Sequence, residues 1–359
     1  MSTITFARAP AAAVDRPFKA QDDKAMLRTA AELTRDLVSP RPGVYWADMG
    51  GSAALGYAAL VGAVMLPGVW AVVSGVVAVL ALYRAMSFIH EVSHLKHAGA
   101  MRGFRQGFDA VVGVPMLIPS FMYEGVHNLH HAKTRYGTAE DPEYLPLALM
   151  KPWTLPLFIL VSALAPVGLL LRYGVLAPLS VVVPGLRRAV VERYSALAIN
   201  PQFRRRAPEG EAKRYWDRVE LAASAWAVAL LAMVATGVIP LRAFAIGFAI
   251  ASAVAVLNQV RTLVAHLWEN DGEPMSVTAQ YLDSVNVPPP TLLPALWAPV
   301  GLRYHALHHL LPGLPYHALG EAHRRLSAAL DAGSPFHKAS YSGLPYLAAK
   351  IGRSTLGRR

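Results

Sequence analysis

The stretch "MGGSAALGYAALVGAVMLPGVWAVVSGVVAVLALYRAMSFIHEVSHLKH", Met49 to His97, decides the fold. No charged residue occurs from Met49 to Tyr83, and Pro67-Gly68 near its middle is a natural helix stop and turn. Two helices joined there would run roughly 18 residues, or about 27 Å, each, close to a hydrocarbon core of roughly 30 Å. The second helix can continue past Arg84, whose head can snorkel to the interface, into His90. The stretch reads as a transmembrane hairpin ending in histidines.

The same plan recurs further on. Leu221 to Leu241 is uncharged, Pro240 breaks it, and Ala243 to Val260 is uncharged again. Between the hairpins, Pro152 to Leu171 and Tyr173 to Leu186 are apolar but interrupted by Pro156, Pro166, Pro178 and Pro184. That segment reads as interfacial or re-entrant rather than as a third spanning pair. The expectation is an all-α integral membrane protein: four transmembrane helices in two hairpins, an interfacial or re-entrant segment, and a cytoplasmic histidine-rich helical cap. Its parts would be a cytoplasmic N-terminal segment (1–44), a membrane domain (45–327) and a basic C-terminal tail (328–359).

Composition agrees. Of 359 residues 54% are hydrophobic and 16% charged, where a soluble domain carries about a quarter charged. The net charge of +11 does not point to nucleic acid, because the basic residues flank apolar runs instead of interleaving with aromatics. Arg84 to Lys151, Arg187 to Arg218 and Arg261 to Arg359 hold nearly all of them, and the hairpin tips carry only Arg242. The positive-inside rule puts both termini and these three segments in the cytoplasm. The N-terminus has no apolar core of the kind a signal peptide needs, and Thr29 to Val38 reads as a short amphipathic helix. The chain has no cysteine, so any metal must sit on nitrogen or oxygen ligands.

Ten of the 13 histidines fall into four groups on the expected cytoplasmic side. His90, His94 and His97 share about 60° of a helix face. "HNLHH" (His127, His130, His131) and "HALHH" (His305, His308, His309) each spread three imidazoles over about 100°. His266 ends the last apolar run. Ten imidazoles exceed what one ion takes, and two ions sharing them is the natural count; imidazole suits Fe, Cu, Zn and Ni alike. The first group contains HExxH, but a zinc protease needs only two of these histidines, and the later apolar runs offer no carboxylate as a third ligand. A transporter would place its polar groups near the bilayer midplane, where none of these lies. Of the remaining histidines, His317 is a candidate for contact with the ligands, whereas His323 and His337 read as surface residues. Trp153 and Trp268 read as interfacial tryptophans.

"HEVSH", "HNLHH" and "HALHH" match in order and spacing the three histidine boxes of the membrane fatty acid desaturase superfamily. "TRYGTAEDPEYLPL", "RTLVAHLWENDGEPM" and "LRYHALHHLLPGLPYHALGEAHRRL" resemble the bacterial acyl desaturase versions, so that the likeness covers roughly Tyr45 to Leu326. The resemblance implies a non-haem di-iron centre in a bacterial inner membrane, with His90, His94, His97, His127, His130, His131, His266, His305, His308 and His309 as ligands of two Fe ions. At the position where related enzymes hold a water-bearing polar residue, this chain has Thr262. The implied activity is O2-dependent desaturation of an acyl-lipid or acyl-thioester. The alternative is a hydroxylase or ketolase of the same superfamily acting on an alkane, acyl chain or carotenoid. Electrons would come from a separate ferredoxin-, rubredoxin- or cytochrome-like donor. Carboxylates should orient the ligating imidazoles, and Glu91, Glu124, Asp141, Glu269, Asp271 and Asp283 are the candidates.

Overall fold

The computed structural model describes residues 20–95 and 99–356, and these are helical throughout, joined by loops with only isolated β-bridges. Five helices are long and apolar enough to cross a membrane: α1 (Pro42–Met65), α2 (Gly68–His94), α3 (Thr154–Ser180), α4 (Gly210–Ala235) and α5 (Leu241–Leu263). Large apolar side chains such as Trp70, Val72, Leu160, Leu164 and Leu241 stand exposed on them, as expected of surfaces that face lipid. The chain is an integral membrane protein.

The α1–α2 turn falls at Pro67-Gly68 as the sequence predicts, with Gly68 at a φ of 56°, a conformation that a side chain would strain. The hairpin is tight: a Cβ on Gly56 would meet Leu82 Cδ2 at 2.6 Å. Arg84 is held by an ion pair. Its Nε and Nη2 donate to the two oxygens of Asp48 at 2.7 and 2.5 Å, and Tyr316 donates to the same carboxylate at 2.8 Å. The amphipathic helix runs from Lys24 to Leu33, earlier than expected, because Asp23 caps it by accepting from the Met26 backbone N–H.

The proline-rich segment forms one bent helix, α3, which by length and composition qualifies as a span. Pro166 and Pro178 occupy the first turns of helical pieces, where a missing N–H costs nothing, and short 3₁₀ and π turns join those pieces. Phe158 packs near Trp268 at the histidine-bearing end, with ring centroids 6.4 Å apart. Midway, the Ala163 carbonyl accepts from Ser252 Oγ of α5 at 2.9 Å. Arg172 then forms a buried ion pair with Glu220 of α4, which Arg187 also reaches. Two hairpins and this bent helix support a cap in which the histidine segments meet.

Candidate metal centre

Two short helical pieces and the ends of two long helices deliver the imidazoles. His90 and His94 lie on the last turns of α2, and His127–His130 is a single turn followed directly by His131. His305–Leu310 is a short buried helix, and His266 follows α5. Nine of the ten expected histidines converge into two groups: His90, His94, His127, His131 and His308, and beside them His130, His266, His305 and His309. Within each group the ligating nitrogens all lie within 4.8 Å of one another. The groups adjoin, with the rings of His131 and His309 4.3 Å apart. His97 lies outside the described residues.

Hydrogen bonds turn the inner nitrogens toward each other. His130 Nδ1 lies 2.9 Å from Asp141 Oδ2, and His127 Nδ1 lies 2.8 Å from Glu143 Oε1. Tyr123 donates to the other oxygen of Glu143 at 2.6 Å. Tyr136 donates to Asp283 at 2.8 Å, which leaves its oxygen to accept from His266 Nδ1, also at 2.8 Å. A carboxylate only accepts, so the proton of each oriented ring sits on Nδ1 and Nε2 presents a bare lone pair. The Nε2 atoms crowd together: those of His127 and His131 are 2.9 Å apart, His131 and His308 3.1 Å, His266 and His305 3.0 Å. The buried Nε2 atoms of His90 and His94 have no hydrogen-bond partner. Bare Nε2 lone pairs on His127, His130 and His266, set among six further imidazoles, suit a cation, and this arrangement fits metal.

Electrostatics agree. Burial holds His127, His131, His266, His305, His308 and His309 well below the ordinary imidazole range, so they stay neutral and able to ligate. His130 is raised: burial pushes it down, but the Asp141, Glu143 and Asp283 carboxylates together outweigh that. Burial pushes Glu143 up to about 7 and Asp283 up to about 6, values at which a nearby cation would decide their charge.

Of the carboxylates expected near the ligands, Asp141 and Asp283 are there. Glu91 sits at the edge, 3.4 Å from His90 Nδ1, and accepts from Tyr45 at 2.5 Å and from the Tyr316 backbone N–H at 3.1 Å. Glu124 pairs with Arg105, and neither Asp271 nor Glu269 bonds a described histidine. His317 accepts from the Arg41 backbone, away from the groups. His323 is not a surface residue but is buried between Tyr304 and Phe336. Trp268 is likewise fully buried, 4.9 Å from the His266 ring, whereas Trp153 is exposed.

Four contributors escaped the sequence reading: Glu143, Tyr123, Tyr136 and Arg261. Glu143 had a signal, because Asp141-x-Glu143 in "AEDPEY" is an extended carboxylate pair just beyond the second box. Arg261, counted as a flanking charge, is buried with Nη2 3.2 Å from His305 Nδ1.

A membrane bundle capped by two histidine groups whose rings are steered by carboxylates defines a class, and the comparison of sequences agrees: the chain belongs to the fatty acid desaturase family, whose model matches residues 67–340. It is 49% identical over 327 residues to a ceramide hydroxylase of Caulobacter vibrioides (strain NA1000 / CB15N), covering 91% of this chain and 93% of that protein. Both findings mark an oxidoreductase. The relative favours the oxygen-inserting alternative over desaturation.

Proposed function

We propose that the chain is an O2-dependent membrane hydroxylase that places one oxygen atom on a ceramide-type lipid. The observation that carries this reading is the 49% identity, along nine-tenths of both chains, to a ceramide hydroxylase. The two histidine groups give the reaction a place. In balance, a C–H bond, O2, two electrons and two protons become a C–OH bond and water. The electrons come from a separate ferredoxin-, rubredoxin- or cytochrome-like donor.

Two irons, when bound, supply the oxidising power for C–H cleavage that no side chain has. The five- and four-histidine groups would each hold one. The work of this chain's residues is orientation. Asp141 and Glu143 fix His130 and His127, and Asp283 acts on His266 through Tyr136. The lipid tail would approach from the bilayer between the helices, which keeps the site dry.

The topology proposed with this is four crossings plus a re-entrant α3, with the cap and both termini cytoplasmic in a bacterial inner membrane. His131 and His308 meet, so the chain between them crosses an even number of times. Helices α4 and α5 account for two crossings, and α3 must return to the side it left. The distribution of Lys and Arg supports the cytoplasmic side.

Lipid mass spectrometry on ceramide-supplied cells expressing the wild type or His308→Ala tests the reading. Ceramide gaining one oxygen only with the wild type is the expected result. Lipid lighter by two hydrogens would give the site to desaturation.

A further inference from the structure

Arg261 is buried at the end of α5 beside the four-histidine group, with 8% relative exposure. Its only side-chain hydrogen bond among the described residues goes from Nη2 to His305 Nδ1, and its Nε has no partner. A guanidinium has five N–H donors. Leaving the Nε donor buried and unpaired is costly unless something else accepts it. The one bond it has is also incompatible with metal ligation by His305. An Nδ1 that accepts from arginine leaves the ring proton on Nε2, the nitrogen that faces His266 and His309. In the ligating tautomer His305 Nδ1 carries the proton and confronts Arg261 donor to donor.

The space in front of Arg261 is a cavity of about 10 Å³, walled by Val264, Val285, Val287, Trp297 and Leu302. That is room for about one water-sized group. Arg303, the other polar side chain there, is already bonded to the carbonyls of Val287 and Thr291. The outer wall belongs to Pro294–Trp297, preceded by Leu292 and Leu293, and Leu292, Leu293 and Leu296 are exposed apolar residues.

We propose that Arg261 is a specificity-determining residue that donates to a hydroxyl or amide oxygen of the lipid substrate and so sets which carbon faces the metal groups. This inference rests on the ceramide reading above. A plain acyl chain has only methylenes near its reacting carbon and would leave the guanidinium unsatisfied. A ceramide carries hydroxyl and amide oxygens a few bonds from its chains.

The test uses the full-length, iron-loaded protein in lipid nanodiscs. Ceramide and analogues lacking single hydroxyls are measured for binding, for KM and kcat, and for the position of the product oxygen. Arg261→Met should weaken ceramide binding about 10- to 100-fold, the loss expected for a hydrogen bond to a charged group. It should raise KM more than it lowers kcat, scatter the product position and abolish discrimination between ceramide and one deoxy analogue. Arg261→Lys should restore part of that discrimination. If Arg261→Met loses iron but keeps KM and discrimination, the residue only supports His305 and the proposal falls. The wild type gives a mutation-free check, since equal binding of every analogue, or no ceramide binding at all, overturns it. If ceramide binds through Arg261 but loses two hydrogens, the hydroxylase reading fails and this inference stands. If ceramide is oxygenated identically by wild type and Arg261→Met, the inference alone fails.

Discussion

Asp141 and Asp271 are both acidic residues close in sequence to a histidine group, yet only Asp141 touches one of the rings. Asp141→Ala is therefore expected to cost about 10- to 100-fold in metal affinity, measured by competition with a chelator. Asp271→Ala and Glu124→Ala should leave affinity unchanged. The pH response follows from the histidines. For His127, His131, His266, His305, His308 and His309 the folded values are depressed by burial, while in the unfolded chain they titrate near 6.5. At pH 7 both states are neutral. As pH falls below about 6.5 the unfolded chain takes up protons that the folded site refuses, so stability declines from there downward. Melting temperature and bound iron should hold above pH 7 and fall together in that acid window; a midpoint independent of pH between 7 and 5 would contradict this. The histidine groups were legible because H-x-x-H-H is a local pattern. Arg261 and Tyr136 were not, because their roles depend on which way a side chain turns after distant segments have met.

Among the elements, α1–α2 could be read from the sequence because one Pro-Gly pair punctuates a charge-free run. Helix α3 was harder, since prolines look like breaks unless it is known that they fall in first turns. The native chain has no cysteine, so single introduced cysteines give clean labels. An impermeant maleimide should reach Lys151→Cys and Arg188→Cys from the same face of the membrane, and Val238→Cys from the other. Labelling of Lys151→Cys and Arg188→Cys from opposite faces would mean that α3 crosses. The buried Arg172–Glu220 pair ties α3 to α4. Glu220→Leu strands the arginine and should cost about 3–5 kcal/mol, read as a lower melting temperature in detergent. The ion pairs Arg84–Asp48 and Arg172–Glu220 were invisible beforehand, because each joins residues on different helices.

At the scale of the whole molecule, the fold brings residues 90 to 94, 127 to 131 and 266 to 309 to one place, and neither histidine group is local in the chain. Each takes members from at least two of those segments, and both wait for residues beyond 300. Proteins are made from the N-terminus, and their parts take shape in that order. The hairpins therefore enter the bilayer while the last histidines are still inside the ribosome. On the proposed ligand set, iron arrives after translation, at an already embedded protein whose crowded lone pairs oppose one another until a cation comes. Maturation of this enzyme is then a delivery step at the membrane surface, and cells short of iron would accumulate full-length, inserted and inactive chains instead of fewer of them.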